Sequence, residues 1–403
     1  MRKFFVSIFF TTVLLLNSCR TVDVARQDIN AAISNAISVS EHQALMMARM
    51  LELQKDKLPR TIDQHQNLIT SHSAWWTSGF FPGVLWFVFE ATGNPEAKKY
   101  AEEYTSRVEK EKLNKGDHDV GFMLNCSFGN GYRLTGNEHY KKVLFQGAES
   151  LSTRFRSATG LIRSWDWNKK VWNYPVIIDN MMNLELLEWA SKHSDCTKYA
   201  NIARSHADKT MEHHFRPDYS TWHVVSYDPA TGLPEKKQTR QGYADESTWS
   251  RGQAWALYGY VMMYRESGEI LYLKHAENIA GFILNHPNLP KDKIPYWDFN
   301  APDIPHAKRD ASAGAIMASA FIELSQMTKG RKSKAYLSVA TTQLLTLCTP
   351  EYLADPGTNG NFILKHSVGS MPENSEVDVP LTYADYYFLE ALIKYKKIKK
   401  HSI

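Results

Sequence analysis

Four aspartates stand at the start of apolar helical stretches: Asp119 in "GDHDVGF", Asp179 in "VIIDNMM", Asp310 in "AKRDASAGA" and Asp385 in "LTYADYYF". A carboxylate in that position has two uses. Its oxygens accept from the free backbone N–H groups of a helix start, or it moves a proton as a general acid or base. Asp179 suits the acid, because Val176, Ile177 and Ile178 before it limit hydration, which raises a carboxyl pKa. The helix start pulls the other way. Aromatic side chains crowd the same regions: Trp75, Trp76, Trp165, Trp167, Trp172, Trp222, Trp249, Trp255 and Trp297. Indoles stack on the C–H faces of sugar rings, while Asp, His, Gln and Arg side chains read hydroxyls. Paired carboxylates among such residues point to glycoside chemistry. Core packing accounts for other tryptophans, Trp86 and Trp189 among them.

The elements that carry these residues are helices in pairs. In "EATGNPEAKKYAEEY", "RLTGNEHYKKVLFQGAE", "RESGEILYLKHAENIAGFI" and "MTKGRKSKAYLSVATTQLL" an apolar helix stops near a Gly and an amphipathic one follows, as expected of a glycine stop. The first helix of each pair is apolar around most of its circumference, hence inner; the second is one-sided, hence outer. With residues 41–57 at the front, about twelve helices alternate as six inner and six outer. Helical pairs at a spacing of about 40 to 60 residues mean a solenoid or a closed ring. Both terminal pairs are apolar where a solenoid cap would be polar. An all-α (α/α)6 barrel is therefore predicted. All inner helices then run one way, and their N-termini meet at one mouth, fed by long loops of the kind that carry function.

The chain has 403 residues and a formal net charge of +4, too small an excess to argue nucleic-acid binding. Its first nineteen residues, "MRKFFVSIFFTTVLLLNSC", have a basic start, an apolar run and small or polar residues before a cysteine. They are expected to form a lipoprotein signal (1–19) with Cys19 lipidated, followed by a tether (20–40) and the barrel domain (41–403). The protein is then exported and membrane-anchored through that lipid, facing the periplasm of a Gram-negative bacterium. Cys126, Cys196 and Cys348 have no Cys-x-x-Cys spacing, so neither a disulfide framework nor a zinc site follows. Buried, inert thiols are expected at all three.

"HDVGF", "IIDNMMNLELLEWAS", "STWHVVSYDPATG", "STWSRGQAWALYGY" and "SEVDVPLTYADYYFLEAL" occur in this order between residues 118 and 392. Together they resemble the unsaturated glucuronyl hydrolases of glycoside hydrolase family 88. The resemblance implies the same (α/α)6 barrel. It also implies removal of a Δ4,5-unsaturated uronic acid from the non-reducing end of lyase-generated oligosaccharides, of glycosaminoglycan type, by hydration of the vinyl ether. In that chemistry Asp179 protonates C4 and then helps water add at C5. Asp119 matches the second carboxylate, which holds sugar hydroxyls and keeps Asp179 protonated. His223, Gln241 and Arg251 match polar substrate contacts, with Arg251 facing the substrate carboxylate through its planar fork. Trp76, Trp165, Trp249 and Trp255 match stacking positions. Ser367 and Ser370 match positions that hold a sulfate in some relatives; those add a lysine where Met371 and Pro372 stand here. No metal and no organic cofactor is implied.

Three other readings stay open at the level of sequence. A related barrel hydrolyses unsaturated rhamnogalacturonyl units, although "HDVGF" and "STWSRGQAW" favour the glucuronyl side. A sugar epimerase on this barrel needs bases on both faces of the ring, and only His223 is well placed. A non-catalytic glycan-binding lipoprotein gives no reason for Asp119, Asp179 and Arg251 to occur together.

Overall fold

The computed structural model describes the backbone of residues 7–400 and the side chains of residues 29–398. The signal segment with Cys19, and the expected tether as far as residue 28, lie outside the described side chains. Among the described residues no helix is long and apolar enough to cross a membrane.

Helices dominate, in the order α1 (Ser7–Met50), α2 (Phe80–Thr92), α3 (Pro95–Ser106), α4 (Val120–Leu124), α5 (Asn130–Thr135), α6 (Glu138–Ser152), α7 (Asn180–Lys192), α8 (Lys198–His213), α9 (Ser250–Ser267), α10 (Ile270–Asn285), α11 (Ala311–Met327), α12 (Gly330–Leu347) and α13 (Thr382–Lys400). The inner ring is α2, the α4–α5 helix, α7, α9, α11 and α13. It closes, because α13 lies against α2 as well as against α11. At Gly83 a Cβ would fall 2.4 Å from the Tyr386 ring and 2.6 Å from the Cys126 carbonyl oxygen, so α2 passes its neighbours only without a side chain there. The hairpin turns repeat a short code. After α2, Gly93 takes φ 74 and Asn94 accepts from the Glu96 N–H. After α5, Gly136 takes φ 65 and Asn137 accepts from the His139 N–H. In each, the glycine tolerates the left-handed residue and the asparagine caps the next helix. The (α/α)6 barrel expected from the repeat is the fold.

Three local expectations change. The inner helix expected before the Gly136 stop is interrupted by a π-helical turn over Asn125–Gly129, where the Ser127 hydroxyl and the Asn130 amide donate to the carbonyls of Met123 and Cys126. Of the three cysteines expected to be buried only Cys126 is; Cys196 is exposed in the turn between α7 and α8, and Cys348 after α12 is half-buried. The front helix begins well before residue 41, and Ile29, Ile33, Ala36 and Ile37 are all buried. Their i, i+4, i+7, i+8 spacing makes one apolar face, so residues 29–40 of the expected tether pack on the barrel.

Nine short strands decorate an otherwise helical chain: β1 (Leu58–Ile62), β2 (Leu68–Ser71), β3 (Phe155–Arg156), β4 (Leu161–Ile162), β5 (Pro175–Ile177), β6 (Val224–Tyr227), β7 (Pro234–Gln238), β8 (Ser367–Ser370) and β9 (Ser375–Val379). All lie in connections from an outer helix to the next inner one, at the mouth. The sheet β5-β6-β7 sets Ile177 opposite Val224, and the Ile178 N–H donates to the His223 carbonyl at 3.1 Å. Asp179 and His223 therefore arrive side by side.

Ile33 is 1% exposed, so Ile33→Ala should destabilise the domain by roughly 2–4 kcal/mol. Thermal unfolding checks this. An unchanged Tm would return residues 29–40 to a tether.

Candidate active site

Each end of the ring holds a cavity. The one at the C-terminal ends of the inner helices, about 460 Å³, is lined by Glu90, Arg133, Glu185, Arg265, Glu390 and Lys394, among others. Its charges are already matched: Arg133 with Glu90, Arg265 with Glu185 and Glu323, Lys394 with Glu323 and Glu390. None of its lining side chains carries a buried polar atom without a partner. The cavity at the mouth, about 420 Å³, is different. Among its lining atoms, Asp179 Oδ2, His223 Nε2, Trp165 Nε1, Arg251 Nε, Ser370 Oγ and the Tyr383 hydroxyl are buried and unpartnered. Buried polar groups are normally paired, so this mouth is built for a polar ligand.

The four aspartates separate into two kinds. Asp310 caps α11, accepting from the Ser312 N–H at 3.0 Å and the Ser312 hydroxyl at 2.6 Å. Asp385, inside the first turn of α13, accepts from the N–H groups of Ile363 at 2.9 Å and Leu364 at 2.8 Å, and burial pushes its pKa up to about 7. Both serve the scaffold. Asp119 and Asp179 precede α4 and α7, but neither side chain makes a capping bond. The start of α7 is satisfied by backbone instead, Met181 N–H donating to the Ile178 carbonyl at 3.1 Å and Met182 N–H to that of Asp179 at 2.9 Å. Both free carboxyls line the mouth cavity.

Their protonation follows from burial. Desolvation lifts Asp179 to about 6, against the opposing charge of Arg251. Asp119 is raised well above the ordinary range by burial first, then by the charges of Asp117 and Asp179, while the Asn183 amide opposes this at 3.2 Å. His223 Nδ1 accepts from the Arg240 N–H at 3.2 Å and the Gln241 N–H at 3.3 Å. The neutral ring therefore carries its proton on Nε2, and burial keeps it neutral by lowering its pKa to about 3. Its Nε2, 3.7 Å from Asp179 Oδ2, is a hydrogen-bond donor to the cavity and not half of an ion pair.

Of the other expected contacts, Trp76, Trp165, Gln241, Arg251 and Ser370 line the cavity. Trp76 lies 4.9 Å from the Tyr383 ring, and Trp165 stacks on Trp167 at 4.9 Å and 14°. Gln241 Nε2 donates to the Gly369 carbonyl at 3.1 Å. Arg251 is only partly free: its Nη1 donates to the Val368 carbonyl and its Nη2 to that of Gly369 at 2.7 Å, with Asp310 at 3.4 Å. Trp249, Trp255 and Ser367 do not line the cavity. Trp249 sits behind His223, ring centroids 4.5 Å apart; Trp255 is fully buried against Phe122 at 5.3 Å; Ser367 is buried in β8. Trp255 presents its indole N–H towards the Asp179 carboxyl, which opposes the rise of that group's pKa.

Sequence reasoning missed Arg60, Asp117, Arg240, Glu373, Glu376 and Tyr383, all on the lining. Arg60 stacks over Trp75 at 4.1 Å and pairs with Glu376 at 2.5 Å. Arg240 stacks over Trp167 at 4.4 Å and bonds Glu373 through Nε at 3.0 Å. These pairs strap the β8-β9 hairpin to both rims. Their signal was absent because neither strand β1 nor the hairpin is legible in the periodicity. Tyr383 and Asp117 lay inside quoted motifs. Asp117, His118 and Asp119 bring ligand-type atoms within 4.8 Å of one another. Hydrogen bonds account for that arrangement: His118 Nδ1 faces the Asn183 amide at 3.4 Å, and Asp119 accepts from it.

Comparison with known proteins agrees with this geometry. The Glycosyl Hydrolase Family 88 model matches residues 47–289. The chain is 52% identical over 318 residues to the unsaturated glucuronyl hydrolase of Formosa agariphila, covering 79% of each. It is 32% identical over 360 residues to the unsaturated chondroitin disaccharide hydrolase of Streptococcus pneumoniae, covering 87% of this chain and 90% of that one. A crystal structure of an unsaturated glucuronyl hydrolase specific for heparin superposes with a TM-score of 0.90 at 44% identity, covering 92% of this chain and 98% of that one.

The division of the acids is testable by stability. Asp310→Ala should cost about 3–5 kcal/mol, because it removes the cap and also leaves buried Arg251 without its carboxylate. Asp179 ionises near 6 in the folded chain rather than near its ordinary 3.8, so folding takes up a proton between those values. The associated stability is present below the lower value and is lost as pH rises through the upper one. At pH 8, Asp179→Asn should therefore hold or raise the Tm. A fall comparable to that of Asp310→Ala would make Asp179 a scaffold residue.

Proposed function

The chain belongs to glycoside hydrolase family 88, and we propose that this glycosidase removes the Δ4,5-unsaturated uronic acid from glycosaminoglycan-derived oligosaccharides. The observation that carries the reading is an uncapped, buried Asp179 among unpartnered polar atoms at the mouth.

The substrate is a vinyl ether, C4=C5–O5. The Asp179 carboxyl gives its proton to C4, and the π pair forms the new C–H bond. Positive charge is left shared between C5 and the ring oxygen. A water oxygen bonds to C5, and its proton goes to the Asp179 carboxylate, restoring the acid. The C5 hydroxyl then loses its proton as the C5–O5 bond opens to a ketone. The freed hemiacetal at C1 expels the aglycone as an alcohol. A pKa near 6 supports both halves of this cycle, since the group gives and regains a proton at near-neutral pH. The Asp119 carboxyl, held by the Asn183 amide and on the same cavity wall as Asp179, supports a role as a ligand for substrate hydroxyls. The Nε2–H of neutral His223 supports donation to a substrate oxygen without competing for the proton. The charge of Arg251 supports binding of the uronate carboxylate through the donors not already committed to β8.

The purified protein should bleach the ultraviolet band of unsaturated chondroitin, hyaluronan or heparin disaccharides, and Asp179→Asn should lower kcat by roughly 10³-fold. The acid form is required, so kcat/KM should fall tenfold per pH unit above about 6. Loss of the reading follows if every disaccharide keeps its band, or if Asp179→Asn turns over like wild type.

Export also belongs to this proposal. A lipid on Cys19, after a cleaved signal, would anchor the barrel at the periplasmic membrane face; the basic, apolar, small-residue order of the N-terminus supports it. In cells expressing the full chain, wild type should sediment with membranes and take up labelled fatty acid, and Cys19→Ala should do neither. Equal fractionation of the two contradicts the anchor.

A further inference from the structure

Asp119 is free for the cavity only because another residue has taken over its helix. The start of α4 leaves N–H groups that a preceding Asp would ordinarily satisfy. Here the Phe122 N–H donates instead to Asn183 Oδ1, at 2.8 Å, across from α7. That bond decides the orientation of the Asn183 amide. With Oδ1 occupied as an acceptor, Nδ2 must face the other way, and it donates to Asp119 Oδ1 at 3.2 Å. The same nitrogen lies 3.4 Å from His118 Nδ1. Asn183 is fully buried, and it stands four residues after Asp179, one turn down the same helix. One side chain thus ties the loop carrying Asp119 to the helix that begins at Asp179.

The fit is tight on both sides. A Cβ at Gly121 would lie 2.6 Å from Asn183 Cα and 2.6 Å from Asn183 Oδ1. The glycine of "HDVGF" is needed because Asn183 occupies that volume. Two motifs remote in sequence, residues 118–122 and 177–191, are halves of one contact.

We propose that Asn183 is a positioning residue for the hydrolysis: a strut that caps α4 in place of Asp119, fixes the Asp119 carboxyl relative to Asp179, and presents it with a hydrogen-bond donor. The inference rests on the proposed function for its effect on turnover, but not for the contact itself. Asp119 is faced by Asp117 and His118 on its own loop, and by Asn183 and Asp179 from α7. His118 is neutral, its pKa lowered by burial to about 4. The Asn183 donor is thus the group that favours ionised Asp119 against burial and two like charges.

Asn183→Asp separates positioning from scaffold. A carboxylate retains the acceptor that caps α4, so the helix start stays satisfied. Its second oxygen replaces the donor with an acceptor against Asp119, and the two acids must share a proton. We expect a Tm within a few degrees of wild type, kcat lower by about 10- to 100-fold, KM changed no more than threefold, and a displaced pH profile. Carbon NMR titration of the Asp119 carboxyl, which needs no substrate, should move upward in pH. Asn183→Ser, too short to reach Asp119, is the second variant; it should raise the same titration if Asn183→Asp folds poorly. An Asp119 titration unchanged in the variants, or kcat and pH profile within twofold of wild type, overturns the strut. Wild type that leaves the disaccharides unconsumed overturns the proposed function instead, and the titration still decides the strut.

Discussion

Everything at the mouth depends on who satisfies the free N–H groups of the inner helix starts. The closed ring brings six such starts together, and each exposes donors that must find oxygen. At α11 the preceding aspartate supplies it, and Asp310 is spent on the scaffold. At α4 the oxygen comes from Asn183, and at α7 from the backbone of Ile178 and Asp179. The two carboxyls released in this way face one cavity. With few donors to stabilise their charge, burial dominates their ionisation and raises both above the ordinary carboxylate range, Asp179 to about 6.

The contrast between the two ends of the ring carries the same lesson. Both hold ionisable side chains in numbers, yet at the far end Arg265 and Lys394 are satisfied by Glu185, Glu323 and Glu390. A cluster of charge that closes on itself is a plug. At the mouth, small sheets do the positioning. β5 and β6 deliver Asp179 and His223 to one point, and β8 commits part of Arg251. The β8-β9 hairpin, strapped by Arg60–Glu376 and Arg240–Glu373, narrows the opening.

Much of this was legible in the sequence, and the rest was not for physical reasons. The barrel showed in the alternation of all-apolar and one-sided helices, and in the Thr-Gly-Asn turns at residues 92–94 and 135–137. The front helix extends beyond the expected start; the mostly polar stretch from Asn17 to Asp28 separates Ile29 and Ile33 from any apolar run, so their helical spacing stands out only once the barrel covers them. Capping by Asp119 and Asp179 was a reasonable expectation from local sequence; only the tertiary contact with Asn183 and the turn at Ile178 reassigned it. Trp249 and Trp255 were placed among the stacking residues, yet one lies behind His223 and the other within the core. Helix phase tells which end of an inner helix a residue occupies, but not whether a neighbour stands between it and the cavity. Arg60 and Glu376 belong to short strands, and Arg240 and Glu373 to the loops beside them, where no periodicity announces a register.

Asp179 is freed from capping its helix, and burial holds its proton up to about pH 6. Difference infrared titration of the protonated carboxyl band, wild type minus Asp179→Asn, tests it most directly. Wild type should show a band that is absent in the variant and is lost on raising the pH through about 6. A carboxyl already ionised by about pH 4, the ordinary carboxylate range, would contradict it.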